Sequence, residues 1–171
     1  QARKARMKNR IRDMAERLIK VAAERMLRTA DRMTPPDGAW DEFCARFPYT
    51  ETEDQLRAIE DVLEDLEGPT PMDRLVCGDV GFGKTEVAIR AAFRVAMAGR
   101  QVAILCPTTV LAHQPFQGFR ERFRDYPLEV RSLSRFVDRQ QATETTRMLK
   151  EGKVDVVVGT HRLLSKDIHF K

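Results

Sequence analysis

The chain has 171 residues, of which 42% are hydrophobic and 33% are charged, and its formal net charge is +4 at pH 7. This length and apolar content predict one compact domain with a real core and room for an appendage. Its three cysteines are scattered without metal spacing, which excludes a disulfide framework. No apolar run is long enough to span a membrane, which excludes a membrane protein. Because there is also no secretory signal, we predict a cytoplasmic location.

The first segment, residues 1–33, is predicted to be a long basic connecting helix. Its apolar residues recur at three- and four-residue steps and so share one face: Met7, Ile11, Met14, Leu18, Val21, Ala22 and Met26. Residues 1–32 hold eleven Lys or Arg against four acids, whereas residues 41–67 hold ten acids against two arginines. This asymmetry is consistent with a polyanionic partner, with an intramolecular charge contact or with a solvated helix face. A linker is predicted over residues 34–46, because Pro35 and Pro36 end the helix.

A second helix is predicted from about residue 53 to residue 67, and after it short apolar runs alternate with helical stretches. The predicted strands are residues 74–77, 102–106, 128–133 and 154–158, and the predicted helices are residues 84–98, 109–123 and 139–151. This alternation is typical of an α/β fold with a parallel sheet, right-handed crossovers and helices on both faces. The valine-rich last strand is predicted to be buried on both faces.

The strongest functional signal is the sequence Gly78-Asp79-Val80-Gly81-Phe82-Gly83-Lys84-Thr85, which matches the phosphate-loop pattern G-x-x-x-x-G-K-[ST] at every fixed position. A predicted strand precedes it and a predicted helix follows it, which favours a phosphate site over a chance match in a glycine turn. The glycines allow successive N–H groups to point at one anion, and the helix adds its positive dipole end. Lys84 is predicted to reach the β- and γ-phosphates of ATP, and Thr85 to ligate Mg²⁺.

Three further short motifs also follow predicted strands: Pro107-Thr108-Thr109, Ser134-Arg135-Phe136 and Gly159-Thr160-His161. Because ligands bind beyond the carboxyl ends of parallel strands, we expect these motifs and the phosphate loop to meet at one edge of the sheet. By residue type alone, the threonines are also suited to cap helices. Arg135 alone fits a surface charge, and His161 alone fits a structural histidine. Thr52 and Gln55 form the pattern of a capping box.

Taken in order, five pieces of the chain resemble the first motor domain of superfamily 2 helicases and translocases, which has a RecA-like fold. They are Phe47-Pro48-Tyr49, Thr52 with Gln55, the phosphate loop, Pro107-Thr108-Thr109-Val110-Leu111-Ala112 and Val158-Gly159-Thr160-His161. More narrowly, residues 72–88 and 132–136 are similar to the bacterial transcription-repair coupling factor family. The resemblance covers residues 1–171 and is most specific over residues 47–170. It implies that residues 47–171 are the N-terminal part of a RecA-like ATPase domain, here truncated, and that residues 1–33 are a strut to a polymerase-interacting domain.

The resemblance implies a double-stranded DNA translocase driven by ATP and Mg²⁺. Members of that family act on stalled RNA polymerase and recruit excision-repair proteins. The resemblance further implies that Gln55 reads the adenine edge, with Phe47 or Tyr49 against the base, although the capping box remains an equal alternative. It assigns contacts with DNA phosphates to Thr108, Thr109, Arg135, Thr160 and His161. For these five residues the capping and structural interpretations also stay open.

Two features depart from the expected pattern. Pro115 lies inside the helix predicted from residue 109, so either that helix begins later, near Gln114, or it bends. In addition, no predicted strand ends in the acidic residues that hold Mg²⁺ and orient the attacking water. We therefore interpret the sequence as a fragment of a larger motor and expect the fragment alone not to hydrolyse ATP.

Three alternatives compete with this interpretation. A replication-restart, branch-migrating helicase would belong to the same class of motor. A small-molecule phosphotransferase would use the same loop, but it would not need the Pro-Thr-Thr and Gly-Thr-His motifs. A non-catalytic interaction module would act through the basic helix, and charge reversal along residues 3–12 would separate it from a motor.

Overall fold

The computed structural model describes residues 2–34 and 38–171. Its helices are α1 (Ala2–Met26), α2 (Ala39–Ala45), α3 (Glu53–Glu67), α4 (Lys84–Met97), α5 (Thr109–Arg122) and α6 (Arg139–Glu151). Its strands are β1 (Val102–Leu105), β2 (Val130–Leu133) and β3 (Val156–Gly159), and a short 3₁₀ helix spans His161–Leu164. Among the described residues, no helix combines the length and the apolar character needed to cross a bilayer.

The three strands form one parallel sheet in the order β1-β3-β2. Val156 of β3 lies opposite Val102 on one side and Val130 on the other, so all three strands start in register. The central strand is fully buried, as its run of valines predicted, because it is paired along both edges and covered on both faces. The predicted α/β class with a parallel sheet is confirmed.

Helices cover both faces of this sheet. On one face, α4 and α5 contribute Phe93 and Phe119 to a core that includes Val156 and Val158. On the other face, Leu149 of α6 packs with residues that include Val157 and Leu133. The alternation of side chains along β3 thus assigns its valines to two separate cores. The prediction of helices on both faces is confirmed.

The segment predicted as a linker contains a helix that is part of the core. Phe43 of α2 is completely buried and stacks on Phe93, with ring centroids 3.9 Å apart and nearly parallel planes. Phe123 and Tyr126 meet the same ring edge-on. The segment predicted as a linker is therefore ordered at Ala39–Ala45, because two aromatic side chains, Phe43 and Trp40, anchor this short helix on Phe93. Residues 35–37, the Pro-Pro-Asp part of that prediction, lie outside the described residues.

Helix α1 ends at Met26 rather than at the predicted residue 33. After it, the N–H groups of Ala30 and Met33 donate to the carbonyls of Pro69 and Leu66, at 2.8 Å and 3.2 Å. These backbone donors are used by the end of α3, so they cannot continue the helix. The predicted apolar face of α1 exists but is not covered by the described residues, and the fractional exposures of Met7, Ile11, Met14 and Leu18 lie between 59% and 69%.

The predicted strand at residues 74–77 is not formed. This segment is irregular and Leu75 is 85% exposed. Among residues 2–34 and 38–171, no further strand pairs with the outer edge of β1. Arg74 is instead held by the carboxylates of Asp65 and Asp61, at 2.5 Å and 3.0 Å. An apolar run needs a pairing partner to become a strand, and the described residues supply none here.

Helix α5 begins at Thr109 and contains Pro115, so the alternative start near Gln114 is wrong. Thr108 caps the helix, since its hydroxyl accepts a hydrogen bond from the N–H of Leu111 at 3.2 Å. Proline lacks an N–H group, so the helix has one hydrogen bond fewer at Pro115. The cap stabilises the helix start, which lies nearly two turns before the proline.

Candidate nucleotide and nucleic-acid site

The phosphate loop has the backbone geometry that its glycines predicted. Gly81 and Gly83 adopt φ angles of 87° and 69°, in the left-handed region that favours glycine. Gly83 is also the N-cap of α4, which then begins with Lys84 and Thr85. A Cβ at Gly83 would lie 2.1 Å from the Gln55 amide nitrogen, so a substitution there would also displace the Gln55 side chain.

Lys84 is held inside the loop in this structure. Its Nζ donates to the carbonyl oxygens of Gly78 and Asp79, at 2.6 Å and 2.5 Å. The loop borders a cleft of about 450 Å³ that lies between α3 and the start of α4. Its lining includes Thr52, Gln55, Val76, Cys77, Gly78, Asp79, Phe82 and Lys84. Thr85 follows on the first turn of α4, and Val80 and Phe82 project into solvent.

The side chain of Gln55 joins the phosphate loop to helix α3. Its Oε1 accepts from the N–H of Thr52 at 2.8 Å, while the Thr52 hydroxyl accepts from the Gln55 N–H at 3.3 Å. This is the capping box that the sequence left as one of two interpretations. In addition, Gln55 Nε2 donates to the carbonyl of Phe82 at 2.9 Å. Both ends of the amide are thus engaged within the protein.

Phe47 lies apart from this cleft. Its ring is 5.4 Å from the Arg90 guanidinium and 5.6 Å from the Arg122 guanidinium, and 5.5 Å from the ring of Tyr49. These arginines belong to a buried ion cluster that the sequence analysis did not identify. We call it the Glu86 cluster, and its members are Glu51, Glu86, Arg90 and Arg122.

Glu86 lies at the centre of the Glu86 cluster. Its Oε1 accepts from Arg90 Nε and from Arg122 Nη2, each at 2.9 Å. Arg90 also pairs with Glu51, and this hydrogen bond lowers the pKa of the Glu51 carboxyl below its ordinary value. The sequence carries only a partial signal for the cluster. Glu86 and Arg90 are four residues apart on α4, on the helix face that also carries the buried Phe93. Charged residues on a face that points into the core need partners there.

A second cleft, of about 680 Å³, collects the residues that follow the three strands. Its lining includes Pro107, Thr108, Thr109, Ser134, Arg135, Thr160, His161 and Arg162. We call it the threonine cleft. All five residues expected at DNA line it, because the carboxyl ends of β1, β2 and β3 meet at this edge. The phosphate loop, which was expected at the same edge, borders its own cleft, and none of its residues is shared with the threonine cleft.

The donor set of the phosphate loop fits a nucleotide with its metal ion. The glycine backbone and the Lys84 ammonium are suited to phosphate oxygens, and the Thr85 hydroxyl is an oxygen ligand suited to Mg²⁺. Among residues 2–34 and 38–171, no three His, Cys, Asp or Glu side chains form a group that could hold a metal.

Comparison with known proteins agrees with the motifs. The DEAD/DEAH box helicase family matches residues 52–171. The transcription-repair-coupling factor of Bacillus subtilis (strain 168) is 52% identical over 168 residues, which cover 98% of this chain and 14% of the relative. The protein of the same name from Myxococcus xanthus is 49% identical with the same coverage. The chain thus spans 14% of the length of these relatives.

Solved structures give the same picture. RecG bound to a three-way DNA junction matches with a TM-score of 0.81 and 34% identity, over 89% of this chain and 21% of that chain. A hypothetical ATP-dependent RNA helicase from Sulfolobus tokodaii matches with a TM-score of 0.57 and 21% identity, over 75% of this chain and 35% of that chain, which is a likeness of fold alone. The predicted resemblance to the coupling factors is confirmed. With a family match over most of its length and a phosphate loop at the start of α4, the chain belongs to the DEAD/DEAH box helicase family.

Proposed function

We propose that this chain is the ATP-binding part of a cytoplasmic, double-stranded DNA translocase that acts on stalled RNA polymerase and couples transcription to nucleotide excision repair. The observation that carries the proposal is the phosphate loop, with its two left-handed glycines and with Lys84 at the start of α4. The similarity to transcription-repair-coupling factors supports the coupling role, with RNA polymerase and excision-repair proteins as partners of the whole protein.

In the proposed complex, the phosphate loop binds the nucleotide through its backbone and two side chains. The N–H groups of residues 78–83 face the phosphates. Lys84 would exchange the carbonyls of Gly78 and Asp79 for phosphate oxygens, and Thr85 would hold Mg²⁺. Gln55 lines the cleft and holds the loop through Phe82, and Phe47 packs on the arginines behind it. ATP bound with Mg²⁺ supplies the free energy of its hydrolysis.

The threonine cleft is the proposed site for duplex DNA. Hydroxyls and backbone N–H groups of Thr108, Thr109 and Thr160, with Arg135 and His161, are suited to phosphate oxygens and would position the duplex without reading its sequence. The carboxyl ends of the three strands carry no acidic residue, since Cys106, Ser134 and Thr160 follow them. We therefore expect the chain alone to bind ATP weakly and not to hydrolyse it.

Nucleotide binding tests the first half of the proposal. We expect a fluorescent ATP analogue with Mg²⁺ to bind the wild-type chain weakly, and Lys84→Ala to weaken binding at least about tenfold, since a charge-assisted hydrogen bond is lost. Lys150→Ala, an exposed lysine on α6, is the matched control and should bind like the wild type. Unchanged binding by Lys84→Ala would refute the site. ATP turnover that Lys84→Ala abolishes would refute the predicted inactivity.

DNA binding tests the second half. Arg135→Ala should weaken binding to linear duplexes of different sequence by the same factor. It should also make the negative slope of log K against log salt concentration shallower by about 0.9, the value for one lost phosphate contact. Arg124→Ala, an exposed arginine outside the threonine cleft, should change neither quantity. An effect on only one DNA sequence would instead indicate a base contact.

The likeness to RecG favours a second candidate, a branch-migrating helicase. The two candidates differ in the DNA that they should prefer. Equal affinity for a linear duplex and for a three-way junction with the same number of phosphates would support the translocase. A clear preference for the junction, lost in Arg135→Ala, would support branch migration.

A further inference from the structure

The Glu86 cluster lies directly behind the phosphate loop. Glu86 is the residue after Thr85, on the first turn of α4, and only 6% of its surface is exposed. Arg90, one turn later, is 3% exposed. Charged side chains are almost never buried to this extent unless they are paired. The positions of these groups therefore depend on one another.

The charges within the cluster balance. Two carboxylates, Glu51 and Glu86, face two guanidinium groups, Arg90 and Arg122. Glu86 is bonded to both arginines through the same oxygen, and its position in the first turn of a helix also favours a negative charge. Removing the charge of Glu86 would leave two buried guanidinium groups facing a single carboxylate.

Three parts of the chain converge on this cluster. Arg122 is the last residue of α5, the helix whose first turn carries Thr109 of the threonine cleft. Arg122 also donates to the carbonyl of Phe43 at 3.3 Å, and its guanidinium carbon lies 4.3 Å from the centroid of the Phe43 ring. Glu51 precedes Thr52, which forms the capping box with Gln55, and Gln55 in turn bonds to the phosphate loop.

The phosphate loop is thus attached at two points. Gln55 holds the Phe82 carbonyl before α4, and the Glu86 cluster holds the first turn of α4 after Lys84 and Thr85. The segment that leads into the loop is not part of the sheet, so these side-chain contacts take the place of strand pairing.

We propose that Glu86 is a positioning residue for nucleotide binding: through Arg90 and Arg122 it fixes the first turn of α4, and with it the direction of the Thr85 hydroxyl and the Lys84 ammonium. This inference rests on the proposed function of the phosphate loop. Glu86 does not touch the nucleotide in this proposal. It acts through the backbone of the turn that carries the two binding side chains.

The test measures ATP affinity with Mg²⁺ and with EDTA, using the fluorescent analogue. Glu86→Gln keeps the shape and the acceptor oxygen but removes the charge. We expect it to weaken Mg²⁺–ATP binding about tenfold, as loss of a supporting contact behind a metal ligand does, and Glu86→Ala to weaken it more. The ratio of the affinities with and without Mg²⁺ should fall toward one, because Thr85 is misdirected.

Arg122→Gln and the double variant with Glu86→Gln test whether the pair acts as a unit. If it does, the double variant should lose about as much affinity as either single variant, because residues that share one contact are not additive. Glu144→Gln, an exposed glutamate on α6, is the matched control and should leave both affinities unchanged. Circular dichroism confirms that each variant is folded, and Arg122→Gln replaces Glu86→Ala if the latter does not fold.

The outcomes separate this inference from the proposed function. An unchanged Mg²⁺ ratio in folded Glu86→Gln and Arg122→Gln, with binding lost in Lys84→Ala, would overturn the positioning role and leave the nucleotide site intact. The positioning role would also be overturned if the variants had a lower melting temperature but the same ratio of ATP affinities with and without Mg²⁺. A wild-type chain that binds no ATP, and is indistinguishable from Lys84→Ala, would overturn the nucleotide site itself and the inference with it.

Discussion

The two clefts are built from similar short polar loops, but they are supported in different ways. In the threonine cleft each loop follows a paired strand, and the N–H of Cys106, just beyond β1, still donates to the Gly159 carbonyl at 2.8 Å. The phosphate loop follows an irregular segment and is held by the side chains of Gln55 and Glu86. A site supported by backbone pairing should tolerate the loss of a nearby side chain, whereas one supported by side chains should not.

We expect the largest effect from a substitution in the aromatic core that lies behind both clefts. Phe43 packs on Phe93 of α4 and on Phe123, which directly follows α5, and these two helices begin at the two clefts. Because its ring is fully buried, Phe43→Ala should lower the free energy of unfolding by about 3–5 kcal/mol. Urea unfolding measures the change. Phe136→Ala, whose ring is 78% exposed, should change it by less than about 0.5 kcal/mol. Similar losses in both variants would show that this core does not support α4 and α5.

Two glycine substitutions separate the clefts. A side chain at Gly159 would lie 2.4 Å from the backbone oxygen of Leu133, so Gly159→Ala should cost about 1–3 kcal/mol of stability and weaken DNA binding. At Gly81 there is space for a side chain, but φ is 87°, so Gly81→Ala should cost about 1–2 kcal/mol and weaken only ATP binding. Urea unfolding and the two binding assays measure these changes. If each variant weakens both ligands equally, the clefts are not independent.

Gln55→Ala tests whether the phosphate loop depends on a side chain. It removes half of the capping box and the bond to Phe82, and should lower stability by about 1 kcal/mol. Since both ends of the amide are engaged within the protein, ATP and GTP binding should weaken by the same factor. Gln140→Ala, an exposed glutamine on α6, is the control. A loss for ATP alone would instead restore the role of Gln55 in reading adenine.

The sequence predicted best those elements whose ends carry their own signals. Helix α6 has the predicted bounds, with Asp138 as its N-cap and Gly152 as a left-handed cap at φ 72°. Helix α3 is bounded as predicted by the Thr52 capping box. The contents of the threonine cleft were also predictable, because parallel strands present their carboxyl ends at the same edge.

The features that the sequence did not predict depend on contacts between distant residues. An apolar run such as residues 74–77 indicates burial but cannot show whether a pairing strand is present. Phe43 and Trp40 anchor α2, but a helix of seven residues is too short to show a helical period in the sequence. The i, i+4 pair of Glu86 and Arg90 has the spacing of an ordinary surface ion pair, and only Arg122 and Glu51 from elsewhere in the chain make it a buried cluster.

The smallest expected effect is a pH dependence at the Glu86 cluster. The hydrogen bond from Arg90 holds the pKa of Glu51 below its ordinary value of about 4.3. The unfolded chain therefore binds this proton first, and the stabilisation is complete at neutral pH and lost as the pH falls from about 4.3 through the lower folded-state pKa. Because Glu51 is partly exposed, Glu51→Gln should lower the free energy of unfolding at neutral pH by less than about 1 kcal/mol. Urea unfolding at several pH values should also show a smaller loss of stability between neutral and acidic pH, which we call the acid limb. The control Glu144→Gln should keep the acid limb of the wild type. An unchanged acid limb in Glu51→Gln would show that the bond from Arg90 to Glu51 does not stabilise the turn that carries Lys84 and Thr85.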